Sequence, residues 1–180
     1  MKKQFSFIAI LLLMVGASTL FAQAGNNAVK TLTQSLRSHK NMEVRFTYQT
    51  IGDPNQSEEP KPGTFYLQGK AYKFLMEDHH AISDGKTTWD YIIEDEEVMV
   101  GNATDDNNPY HIIDDLDRDS SGLTPVFDKK GNLKGLEIEL DEGIKMVLNF
   151  TEMKFDQDYP EDFFTFDEKA HPNVDIIDMR

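Results

Sequence analysis

The sequence predicts a mainly β, single-domain protein of about ten short strands with two or three short helices, and three observations carry that reading. Apolar and polar residues alternate along most of the chain after Met42. Gly, Asp and Asn break those runs at short intervals, as hairpin turns do. Helical spacing is confined to two brief stretches, too little to build a helical layer.

In chain order, residues 26–39 carry Val29, Leu32 and Leu36 on one side, with Asn27 as N-cap, and read as an amphipathic helix. Met42, Val44, Phe46 and Tyr48 then alternate with Glu43, Arg45, Thr47 and Gln49, a strand buried on one face. Residues 53–63 hold three prolines without periodicity and read as a loop. A meander follows: Phe65 and Leu67, a turn at Gly69-Lys70, Tyr72, Phe74 and Met76, then Ile82 before Asp84-Gly85, the strongest hairpin signal in the chain. Trp89, Tyr91 and Ile93 alternate beyond it, and Val98 and Val100 follow an acidic turn. Pro109 suits a first helical position, with Tyr110, Ile113 and Leu116 on one side of a second short helix. Strands return at Val126-Phe127, Leu136/Ile138/Leu140, Ile144/Met146/Leu148/Phe150 and Met153/Phe155, and Phe163-Phe164-Thr165-Phe166 and Val174-Asp175-Ile176 complete the series.

Lys2 and Lys3, an apolar run to Leu20 and Ala22-Gln23-Ala24 form the pattern of a signal peptide spanning residues 1–24, leaving one domain over 25–180. The expected location of the mature protein is the periplasm. There is no cysteine, so neither a lipid anchor on cysteine nor a disulfide is available and the core must supply the stability. Removing the two lysines takes the formal charge from −14 to −16, which repels phosphate backbones and anionic membranes. Nucleic acid is therefore excluded as a partner, and any membrane role must be apolar.

Catalytic patterns are missing: no G-x-S-x-G elbow, no cysteine nucleophile, no phosphate-cradling glycine loop. The expectation is a protein that is not an enzyme and needs no metal or cofactor. Asp115-Leu116-Asp117-Arg118-Asp119 begins like a calcium loop, but Ser120 stands where glycine and Val126 where glutamate is needed. Glu77-Asp78-His79-His80 offers ligands, yet neighbours on a strand point to opposite faces.

Ser83-Asp84-Gly85-Lys86-Thr87-Thr88-Trp89, followed by Asp90-Tyr91, resembles the S-D-G-K-T-x-W-x-Y hairpin of the LolA-type outer-membrane lipoprotein carriers. The start Asn107-Asn108-Pro109-Tyr110 and the ending Phe164-Thr165-Phe166 with Pro172-Asn173-Val174-Asp175-Ile176-Ile177-Asp178 are similar to that family too, so the resemblance runs from Ala28 to Asp178. Two departures stand out. Phe46 and Gln49 are one residue further apart than in the family's F-x-Q strand. In addition, the K-R-P-x-x-F segment, whose arginine closes the lid in some members, reads Gln68-Gly69-Lys70-Ala71-Tyr72-Lys73-Phe74, so only Lys70 or Lys73 could replace that arginine.

The resemblance implies an open, mostly antiparallel half-barrel whose concave face is covered by the helices, with an apolar cavity between. Candidates for its lining are Phe46, Tyr48, Phe65 and Leu67 on the first strands, and Phe74 and Met76 beside them. Trp89, Tyr91 and Ile93 after the hairpin and Met146 and Leu148 near the end complete the set, although Trp89 also reads as a core anchor. Leu32, Leu36, Tyr110, Ile113 and Leu116 are the lid candidates. The implied function is a monomeric periplasmic carrier that takes lipidated proteins from an inner-membrane release complex to an outer-membrane acceptor. A lipid- or lipoprotein-binding sensor on the same scaffold is the alternative, since fold does not fix function.

Overall fold

The structure, a computed structural model, describes residues 34, 37–52, 59–104, 123–130, 132–141 and 143–180. The described residues form one open sheet of ten strands: β1 (Met42–Ile51), β2 (Lys61–Gln68), β3 (Ala71–Leu75), β4 (His79–Ser83), β5 (Thr87–Ile92), β6 (Glu97–Asn102), β7 (Leu123–Phe127), β8 (Leu133–Asp141), β9 (Ile144–Phe155) and β10 (Asp175–Asp178). The order is β10-β6-β5-β4-β3-β2-β1-β9-β8-β7. Every pairing is antiparallel except that of β10 with β6. The mainly β, open half-barrel class expected from the sequence is thus the one observed. Both segments read as covering helices lie outside the described residues, apart from helical Gln34, Arg37 and Ser38 and the bend at His39 at the end of the first.

Partners in a ladder share a face, so the register assigns every side chain. Met42, Val44 and Phe46 on β1 stand opposite Leu67, Phe65 and Gly63, and Phe65 and Leu67 stand opposite Phe74 and Tyr72. We call this the front face. On β9 the front residues are Met146, Leu148 and Phe150 and then, with the parity reversed, Met153 and Phe155. A bulge explains the reversal: Thr151 is the extra residue, its hydroxyl donating to the Arg45 carbonyl at 3.1 Å. Leu136 and Ile138 of β8 extend the same face.

On the back face β1 and β9 are polar. Arg45 reaches Glu43 at 3.1 Å and Glu152 at 3.2 Å, and Lys154 lies 3.2 Å from Glu152. From β2 to β6 the back turns apolar, with Tyr66, Ile82, Trp89, Tyr91, Val98 and Val100. The strap, residues 156–174, lies over it. Tyr159 and Phe163 pack on Tyr66, Phe166 and His171 on Tyr91, and Val174 joins the same cluster. Asn41 fixes the strap's start, donating to the Gln157 carbonyl at 2.6 Å and accepting from its amide at 2.8 Å.

Three expectations need correcting. Phe163 to Phe166 is not a strand but a run of turns, because Phe163 and Thr165 donate locally to the carbonyls of Pro160 and Asp162 and keep nothing for a neighbouring strand. The final strand is β10, Asp175–Asp178, one step later than expected and parallel to β6. Lys61-Pro62-Gly63, read as loop, begins β2. Pro62 is tolerated there because β3 pairs with β2 only from Thr64 onward, so that side of Pro62 asks for no donor.

Candidate functional site

The front face is the candidate site. Gly63 makes its central feature possible: a Cβ there would lie 2.4 Å from the Phe46 ring. With none present, Phe46 lies across β2 and stacks on Phe74 of β3, with centroids 5.5 Å apart. Phe65 meets Phe74 edge-on at 6.1 Å, an arrangement that ring quadrupoles favour. Val44, Leu136 and Leu148 flank these rings, fully buried, and Met42, Met76, Met146 and Phe150 extend the tract. At one end Tyr48 reaches the β3–β4 turn, where its hydroxyl donates to Asp78 and accepts from the Glu77 amide, both at 3.4 Å. Burial, aided by the Asp78 charge, pushes its ionisation up to about 12.

The tract ends on β4, at Ala81. Across the ladder Tyr72 faces Ser83, and Ser83 faces Thr88, while Phe74 faces Ala81 and Ala81 faces Asp90. Asp90 contacts the His79 imidazole on this face. Ser83 is fully buried and already occupied, its hydroxyl donating to the Thr87 carbonyl at 2.9 Å and accepting from the Gly85 amide at 3.0 Å. Asp84 Oδ1 accepts from the amides of Lys86 and Thr87 and completes the hairpin that Gly85, at φ +87°, allows. Tyr72 ends in a buried hydroxyl with no hydrogen-bond partner, and burial, then the Asp90 charge, holds that phenol in its protonated form.

Eight of the eleven lining candidates share this face: Phe46, Tyr48, Phe65, Leu67, Phe74, Met76, Met146 and Leu148. Trp89, Tyr91 and Ile93 do not join them; they lie on the back with Phe166 and Val174. The alternation places each run on some face without saying which, and the apolar side changes at β4, where Ala81, Ile82 and Ser83 are all buried. Met42, Val44, Tyr72, Phe150, Leu136 and Ile138 belong to the front core and were not among the candidates, although the same alternation marked most of them. The lid candidates Leu32, Leu36, Tyr110, Ile113 and Leu116 lie outside the described residues. Lys73 is on the back, its ammonium 5.0 Å from the Phe163 ring centre, and Lys70 occupies the β2–β3 turn. His79 and His80 separate as adjacent strand residues must, His79 toward Asp90 in front and His80 toward Tyr91 behind.

No protein-family model matches the sequence, and no curated protein is significantly similar to it. Among solved structures, the chain is similar to an uncharacterized conserved protein from Thermus thermophilus, with a TM-score of 0.51 at 7% identity over 84% of this chain and 98% of that one. A LolA superfamily protein from Nitrosomonas europaea aligns with a TM-score of 0.40 at 12% identity, over 71% of this chain and 91% of the other. The first likeness speaks to the fold alone.

Proposed function

We propose that the protein is a non-catalytic periplasmic carrier that holds the acyl chains of lipidated proteins against the front face and passes them from the inner to the outer membrane. The observation that carries the reading is the apolar tract itself, in which aromatic rings and methionines run side by side across β3, β2, β1 and β9 and pass into Leu136 and Ile138 of β8. Rings supply area and methionines adaptable shape, the properties a surface needs to receive flexible chains. Burial of each methylene is worth about 0.8 kcal/mol, so a chain of some fifteen carbons costs on the order of 10 kcal/mol to leave in water. A soluble carrier must return most of that. The S-D-G-K-T-x-W-x-Y resemblance adds weight, since those residues form the β4–β5 hairpin beside the tract.

The test is native mass spectrometry of the folded protein titrated with a triacylated lipopeptide, with the unlipidated peptide as control. Saturable one-to-one binding of the lipidated form alone is expected, and its absence would overturn the acyl-binding reading. Transfer of the bound lipopeptide between two vesicle populations then separates a carrier from a sensor: binding without transfer would replace the carrier by a sensor.

A further inference from the structure

We infer that the Tyr72 hydroxyl donates to the carbonyl of a bound acyl group, so that the front face takes ester- or amide-linked chains in preference to free carboxylates. The inference rests on the acyl-binding reading of the same face and adds to it a specificity-determining residue and a bound orientation.

Tyr72 is 2% exposed, and its hydroxyl is buried without a partner. A donor left in that state is costly, whereas phenylalanine would fill the ring's space without the cost. Ser83, opposite it, is engaged within the hairpin, and Asp90 Oδ1 contacts His79. The Tyr72 hydroxyl therefore stands as an unspent donor opposite a committed one.

Its position gives the donor a purpose. Along one row of the front face the residues run Met42, Leu67, Tyr72, Ser83, Thr88, and along the next Val44, Phe65, Phe74, Ala81, Asp90. The first row changes from apolar to polar between Tyr72 and Ser83, and the second one strand later, between Ala81 and Asp90. An amphiphile lying across these strands, with its chain over β1 to β3, brings its first polar atoms to that boundary. In an acylated protein those atoms are ester or amide carbonyl oxygens, which accept hydrogen bonds and carry no charge. A fatty-acid carboxylate would meet the Asp90 carboxylate, whose side chain is 46% exposed, in a protein of formal charge −14.

The experiment compares wild type with Tyr72→Phe against three probes of equal chain length, a diacylglyceryl peptide with ester carbonyls, its dialkyl ether analogue and the free fatty acid. Wild type is expected to bind the ester about tenfold tighter than the ether, and Tyr72→Phe to bring that ratio to about one. The fatty acid should bind wild type more weakly than the ester. An ester-to-ether ratio that is the same in both proteins would overturn the inference while leaving acyl binding intact. Equal weakening of ester and ether in Tyr72→Phe would also overturn it, by assigning Tyr72 to packing. Failure of wild type to bind any probe would remove the acyl-binding reading itself. The carbonyl stretch of the carbon-13-labelled ester bound to wild type provides a measure independent of the variant: a shift to lower frequency is expected, and an unshifted band would overturn the donor role.

Discussion

Front and back of this sheet draw on the same strands, yet they are finished differently. The back of β2 to β6 is closed by a strap of the same chain, whose Tyr159, Phe163 and Phe166 lie across Tyr66 and Tyr91. The front core, among the described residues, is built from strand side chains and Met76. A cover anchored by interlocking rings and by the Asn41 hydrogen bonds is fixed architecture. The front tract is larger, reaches across more strands and meets its polar margin at Tyr72. The comparison teaches that apolar area does not identify a site; what finishes each face separates core from candidate.

The largest expected effect comes from a matched pair of truncations. Phe74→Ala should cost about 4 kcal/mol in urea unfolding and Phe166→Ala about 3 kcal/mol, since each empties a ring from a packed cluster. They should part in lipopeptide titration, where Phe74→Ala weakens binding and folded Phe166→Ala retains it; equal weakening would break the distinction between the faces. Gly63→Ala comes next, at about 2 kcal/mol, because its new methyl would sit inside the Phe46 ring and force it to move. Adding Phe46→Leu should recover part of the loss, and no recovery would mean that another contact is strained.

The smallest effect is a pH dependence under the strap. Burial, then His79, His171 and Lys73, holds the His80 imidazole below its ordinary value of about 6.5. As pH falls, the unfolded chain takes up that proton first. Stability is thus complete above the ordinary value, declines as pH drops toward the folded value, and levels off beneath it. Between about pH 7.5 and about pH 5, melting curves of His80→Asn should shift less than those of wild type.

Much of this was legible in the sequence, for identifiable reasons. Asp84-Gly85 predicted a hairpin because a residue at φ +87° needs glycine and the freed amides need the Asp84 carboxylate. The step from Phe150 to Met153 recorded the bulge at Thr151, since an extra residue reverses strand parity. Alternation groups Trp89 and Tyr91 with Phe74 because it is local, whereas facing is decided by ladders that join distant residues. The Phe163 to Phe166 run has the composition of a strand and the hydrogen bonds of turns. Tyr72 gave no signal as a site residue, because an unpaired hydroxyl exists only once its surroundings are folded.

The place of β1 has a consequence for how the protein forms. Its pairing with β2 closes over a short connection, but its other neighbour is β9, so that Met42 waits for Phe155. Ladders between such distant segments are slow to close. Until β9 docks, β1 is an edge strand that offers Met42, Val44, Phe46 and Tyr48 on one side and open backbone groups along its length, the features by which chains pair with one another. The middle of the finished sheet is the hazard of the unfinished one, and dilution or a holding chaperone should raise the refolding yield more than any change at the sheet's outer strands.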